Sequence, residues 1–192
     1  MLRVFTIPLC KYRMQYGAIC ADPPWRFDTW ASQPSHIKGR SVYNHYVTMP
    51  LATIKALPVL DFAARDCALF LWTTDTHLDR SLEVITAWGF TFKTVGFYWV
   101  KTNAVAGSYF TGCGWWTRCN PEMCLLATRG RPKRLDNSVK KLIVAPRREH
   151  SRKPDEAYDA IKRLVAGPYL ELFARTRRDG WDLDHSDQPD RF

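Results

Sequence analysis

The sequence predicts an α/β protein, a sheet carrying helices on both faces, and three observations support that class. Apolar runs of strand length recur along the chain, and the first of them stops abruptly at a proline-rich loop. Other segments place apolar residues at helical spacing. The two patterns alternate instead of segregating, which is the order of an α/β sheet. At 192 residues the chain has the length of one ordinary domain and can bury a sizeable core. A single domain over residues 1–192 is expected, without internal repeats, low-complexity segments or a linker.

Gly17-Ala18-Ile19-Cys20-Ala21 is a buried-strand run that ends at Asp22 and two prolines, so the following loop lies at a strand's carboxyl end. Residues 26–50 are polar and aromatic without periodicity, a long loop of the kind usually kept for function. Pro50 to Leu60 makes a short helix, and Cys67 to Trp72 is a second buried strand. From Thr76 to Trp88 the helical spacing runs through Leu78, Leu82, Ile85 and Trp88, with Gly89 as the C-terminal cap. Thr91–Lys101 and Met123–Thr128 read as strands, separated by a Gly- and Trp-rich loop from Gly107 to Asn120. Arg129–Asn137 is a basic turn, Leu142–Val144 a short strand, and Arg147–Lys153 a second basic loop. Pro154 opens a helix to about Val165, with Asp155 and Glu156 in the first turn, where the helix dipole favours acids. Tyr169–Ala174 is the final strand. Ligands of such sheets bind beyond the carboxyl ends of the strands.

Composition narrows the partners. Lys and Arg number 28 against 19 Asp and Glu, a net charge of +9, which attracts an anionic partner without naming it. Eight Trp add aromatic faces able to hold an unstacked base. The six cysteines form no Cys-x-x-Cys pair and no zinc-type spacing with His, so no metal is expected and the thiols read as reduced. The N-terminus lacks a signal-peptide pattern, and no apolar run approaches the ~20 residues that cross a bilayer. The expectation is a cytoplasmic protein without membrane contact.

The chemistry centres on Asp22-Pro23-Pro24-Trp25. An exocyclic amine on a purine is a poor nucleophile because its lone pair is delocalised into the ring. Hydrogen-bond acceptors localise and aim that lone pair. The Asp22 carboxylate and the Pro23 carbonyl can each accept one N–H, the prolines fix the turn, and Trp25 can stack on the face of a flipped base. The same acceptors stabilise positive charge developing on nitrogen, so no strong general base is required. The bland alternative is a structural turn over a core tryptophan.

Further ordered motifs follow: Tyr46-Val47-Thr48-Met49, Leu69-Phe70-Leu71-Trp72-Thr73-Thr74, Ala87-Trp88-Gly89-Phe90, Trp99-Val100-Lys101-Thr102 and Gly112 through Arg118. Glu122 through Gly130, Ser151 through Glu156, and Glu171-Leu172-Phe173-Ala174-Arg175 with Gly180-Trp181 complete the series. In this order, from about Tyr16 to Asp182, the chain resembles the MTA-seventy-type N6-adenine methyltransferases. The resemblance implies a Rossmann-like S-adenosyl-L-methionine-dependent methyltransferase fold, a mixed sheet flanked by helices in permuted, beta-class-like motif order. It implies Asp22, Lys153, Glu171, Phe173, Arg175 and Arg177 as cofactor-binding residues, with Lys153 at the methionine end and Glu171 on a ribose hydroxyl. Trp25, Tyr46, Lys101, Trp115, Trp116 and Arg118 are the substrate-binding candidates, and Trp30 is a further gate candidate. Without the resemblance, the residues favour Lys153 as a solvated helix flank and Glu171 as a paired structural carboxylate, and Trp88 at helical spacing reads as core.

Two departures stand out. Relatives carry a Gly-Asn followed by Glu or Gln after the Gly-Trp, whereas this chain reads Asp182-Leu183-Asp184-His185-Ser186-Asp187-Gln188, leaving Ser186, Asp187 or Gln188 as substitutes. An Asp upstream of the tetrapeptide is also not evident. The expected function is N6-adenine methylation of DNA, with RNA and a catalytically silent nucleic-acid-binding partner as alternatives, and with homo- or heterodimers left open. Silent relatives generally lose Asp-Pro-Pro-Trp, which this chain keeps. Reading of the substrate sequence then falls to the basic loops around Arg129–Arg134 and Arg147–Arg152, or specificity is low, or a second subunit supplies it.

Overall fold

The computed structural model describes residues 14–25, 48–114, 116–148, 152–174 and 176–184. Their strands are β1 Tyr16–Ala21, β2 Ala63–Thr73, β3 Thr91–Thr102, β4 Glu122–Arg129, β5 Leu142–Pro146, β6 Tyr169–Leu172 and β7 Trp181–Asp184. The helices are α1 Leu51–Lys55, α2 Leu78–Ala87 and α3 Asp155–Leu164. One sheet holds all seven strands in the order β5-β3-β4-β2-β1-β6-β7. β4 is antiparallel to both neighbours, β2 and β3, whereas every other adjacent pair is parallel. Six strands therefore end at one edge of the sheet, and the amino end of β4 meets them there.

Strand alternation sorts the core into two layers. Ile19, Ala21, Leu69 and Leu71 pack with Ile54, Val84, Ile85 and Trp88 on the face covered by α1 and α2. Ala18, Cys20, Phe70 and Trp72 pack with Ala157, Tyr158 and Ile161 on the α3 face. Helices thus cover both faces, as expected. Burial at this density raises the Cys67 thiol pKa to about 12, consistent with an inert buried hydrophobe.

Three local expectations are corrected. The buried stripe of α2 is Ser81, Val84 and Ile85 with Trp88 beyond its end; Ile85 and Trp88 are buried as their spacing predicts, whereas Leu78 and Leu82 are each 37% exposed. Ser81 is inside because its hydroxyl is satisfied there, 2.8 Å from the His77 carbonyl and 2.7 Å from Thr73 Oγ1. Gly89 takes the left-handed φ of +71° that ends the helix, as read from the sequence. The strand Tyr169–Leu172 is not the last, since β7 pairs parallel to it, and Tyr16 donates to Asp182 Oδ2 at 2.8 Å. Finally, the reversed β4 carries the basic segment that starts at Arg129 to the edge opposite Asp22, roughly 23 Å away for an eight-residue strand. Among the described residues no helix is long and apolar enough to cross a membrane.

Candidate active site

Asp22 follows the last residue of β1, so it stands at the edge where six strands end. Alternation puts it on the α3 face with Cys20, and Cys20 pairs with Glu171 of β6. Lys101, next to last in β3, lies on that same face, two residues after Trp99, and Trp99 pairs with Glu122, the first residue of β4. Lys153 precedes the Pro154 cap of α3. Four elements distant in sequence thus deliver two acids and two lysines to one place.

They form a chain of ion pairs. Lys153 Nζ lies 2.8 Å from Asp22 Oδ2 and 3.0 Å from Glu122 Oε2, while Lys101 Nζ lies 2.6 Å from Glu122 Oε1. Lys153 is only 7% exposed, with its ammonium 5.5 Å from the centroid of the Trp72 ring. Burial works against its charge, yet Asp22 and Glu122 outweigh burial and hold its pKa above the ordinary lysine value. Burial likewise opposes ionisation of Glu122, and the two lysines overcome it, lowering the carboxyl to about 2. Glu122 was not among the sequence candidates. Its signal, a carboxylate at the head of an apolar strand, becomes informative only once β4 is known to run backwards.

The tetrapeptide is tightly braced. Trp25 N–H donates to the Pro23 carbonyl at 2.8 Å and Met49 N–H to the Pro24 carbonyl at 2.9 Å. Trp25 is 5% exposed, donates Nε1 to the Trp72 carbonyl at 3.3 Å, and stacks on His77 with centroids 5.6 Å apart. The surface on which a base was expected to stack is therefore taken up by core contacts, and Trp25 braces the loop. Pro23 keeps a second carbonyl lone pair beyond the one Trp25 uses. Trp88 is core, 1% exposed, donating to the Ile54 carbonyl at 2.9 Å.

The other end of the site is built on β6. Tyr158 of α3 donates its hydroxyl to Glu171 Oε1 at 2.6 Å. Glu171 Oε2 lies 3.5 Å from Arg178 Nε, but it is buried and accepts no hydrogen bond among the described residues. Burial raises the Glu171 pKa, with Tyr158 and Arg178 pulling the other way. Arg178 covers the Tyr158 ring at 3.7 Å and pairs with Asp155. Sequence reasoning favoured Arg175 and Arg177. Arg177 is exposed, and the inward arginine is Arg178. Phe173 has a φ of +62° and buries its ring in the α1/α2-side core, so only its backbone turns at the end of β6.

Among the remaining candidates, Trp116 is 99% exposed and Arg118 lines a surface pocket. Trp30, Tyr46, Trp115, Arg175, Ser186 and Asp187 lie outside the described residues. Residues 16–183 match the MT-A70 family.

The chain belongs to the MT-A70 family. This is a family of S-adenosylmethionine-dependent methyltransferases whose relatives modify the N6 position of adenine. The chain is 32% identical over 185 residues to the type II methyltransferase M.MunI of a Mycoplasma species, covering 88% of this chain and 76% of that protein. It is 34% identical over 170 residues to the N(6)-adenosine-methyltransferase MT-A70-like protein of Arabidopsis thaliana, covering 86% of this chain and 23% of that one. To the human N(6)-adenosine-methyltransferase catalytic subunit METTL3 it is 32% identical over 166 residues, 84% of this chain and 26% of that one. The chain thus spans about a quarter of these eukaryotic MT-A70 relatives.

Proposed function

We propose that this MT-A70 chain methylates the N6 amine of adenine in DNA, with the target base turned out of its stack into the site at Asp22. The observation that carries the reading is the grip of Lys153 on Asp22 at 2.8 Å, which fixes the carboxylate beside the rigid Pro23 carbonyl. Asp22 accepts one N–H of the amine and the second lone pair of Pro23 O accepts the other, so the nitrogen lone pair turns toward the methyl donor. Glu122, itself held by Lys101, anchors Lys153 from behind and keeps that geometry.

S-adenosyl-L-methionine, when bound, supplies an electrophilic methyl group on a sulfonium. The orphaned Oε2 of Glu171 fits a donor such as a ribose hydroxyl, and Tyr158 and Arg178 hold the carboxylate in place to receive it. Lys153 uses two of its three donors on Asp22 and Glu122, leaving one for the methionine end. In this reading the order is permuted, with the acceptor loop after the first strand and the ribose carboxylate on the sixth.

The relation to a type II methyltransferase over most of both chains supports DNA ahead of RNA. The test is incubation with tritiated S-adenosylmethionine and matched single-stranded and duplex DNA and RNA, followed by digestion to nucleosides. N6-methyldeoxyadenosine is the expected product. Label in RNA alone moves the substrate, and no label in any of them leaves the silent-partner reading.

A further inference from the structure

The β3–β4 hairpin carries a second concave surface that the reaction above does not use. It is a pocket of about 370 Å³, lined by Val100, Tyr109, Phe110, Arg118, Asn120 and Pro121 among others, within the roughly 300–1,000 Å³ range of ligand pockets. It sits at the edge of the sheet that bears Asp22. Val100 adjoins Lys101, and Pro121 adjoins Glu122.

Its walls are rigid. Asn120 accepts the Lys101 N–H at 2.8 Å and donates to the carbonyls of Lys101 at 2.8 Å and Phe110 at 2.6 Å. Phe110 N–H returns a bond to the Lys101 carbonyl at 2.9 Å. Gly112 N–H donates to the Cys119 carbonyl at 2.7 Å, and a Cβ at Gly112 would come 3.1 Å from the Phe110 ring. Glycine there lets the ring lie against the backbone. The Arg147 guanidinium caps Phe110 at 3.8 Å. Above this floor Tyr109 is 70% exposed, and the lining contains a cation, Arg118, and no acid.

Aromatic faces, arginine and the absence of carboxylates are the chemistry of a nucleobase site on a single-stranded segment. The bonds of the Asn120 side chain to the Lys101 backbone tie it mechanically to the ion-pair chain at Asp22. We propose that this pocket takes the base that neighbours the target adenine in the substrate strand, stacked on Tyr109 with Arg118 facing its phosphate. The proposal rests on the nucleic-acid substrate argued above and deepens it, because occupancy here would make methylation depend on the flanking base.

The test uses three single-stranded DNA oligonucleotides with one adenine: intact, abasic on its 5′ side and abasic on its 3′ side. Wild type should lose about tenfold in kcat/KM on one abasic strand, the factor expected for one lost base–aromatic stack. Tyr109→Ala should lose about tenfold on the intact strand, show no further loss on that abasic strand, and bind S-adenosylhomocysteine as wild type does. Arg118→Ala should lose several-fold alike on the intact and abasic strands. Equal losses by Tyr109→Ala on intact and abasic strands, or wild type indifferent to both abasic sites, would overturn the pocket. A strand with 5-iodouracil at the neighbouring position, photo-crosslinked to wild type, separates this proposal from the one beneath it. A crosslink at Tyr109 or Phe110 without methylation keeps the pocket and removes the proposed activity, whereas crosslinks elsewhere remove the pocket.

Discussion

Lys153 Nζ stands between two carboxylates, 2.8 Å from Asp22 and 3.0 Å from Glu122, with almost no solvent access. Each acid depends on the lysine, and the lysine depends on both.

Removing the cation is therefore the costly change. Lys153→Met removes the buried cation between Asp22 and Glu122, leaving Lys101 on Glu122 alone, and should lower stability by about 3–5 kcal/mol. Urea unfolding at neutral pH reads this directly. Glu122→Gln, which leaves Lys153 paired with Asp22, should cost less.

The pH dependence follows from Glu122. Its carboxyl is lowered from 4.5 to about 2 in the folded chain, so its stabilisation is fully present above about pH 4.5. That stabilisation declines as the pH falls from there toward 2. Acid unfolding of Glu122→Gln should be shallower than wild type across this window, and parallel curves would remove Glu122 from the network.

Trp25 should behave as a core residue. Trp25→Ala is expected to lose about 3–5 kcal/mol in chemical unfolding, as large aromatic truncations do. Trp25→Phe keeps most of the packing and loses the 3.3 Å bond to Trp72, so its cost should be about 1–2 kcal/mol.

At the β6 end, Glu171→Ala should weaken S-adenosylhomocysteine binding by about 10- to 100-fold in calorimetry, the range for hydrogen bonds to a charged group. Tyr158→Phe leaves the carboxylate in place without its 2.6 Å donor and should weaken it less.

Substitutions at the far edge should leave the substrate untouched. Lys133→Ala and Arg134→Ala, beyond the carboxyl end of β4, should change neither oligonucleotide affinity nor its salt dependence by more than about the scatter of the titration. A reduced salt slope would bring that edge back as a substrate track.

Much of this was legible in the sequence where local signals are strong. The run into Asp22-Pro23-Pro24 announced a strand ending in a rigid loop, and Gly89 announced the end of α2. Strand direction has no local signature, so the reversal of β4 hid Glu122 and misplaced the basic segment after Arg129. β7 has four residues, two of them acidic, and its strand character comes from pairing with β6. The chain turns at Phe173, with its positive φ, and strand alternation no longer applies in the loop that follows, where Arg178 and not Arg177 faces inward. For Trp25 the sequence left a base-stacking face and a core tryptophan both open, because its partners His77 and Trp72 arrive from β2 and the turn beyond it.

The most direct measurement is methyl transfer by Asp22→Asn beside wild type, on the same adenine-containing DNA, with unfolding curves taken on both. The account predicts N6-methyldeoxyadenosine from wild type and a loss of at least about a hundredfold in kcat for the variant, the scale of one removed transition-state acceptor, with S-adenosylhomocysteine still bound. A folded Asp22→Asn protein that methylates at near wild-type rate would contradict it.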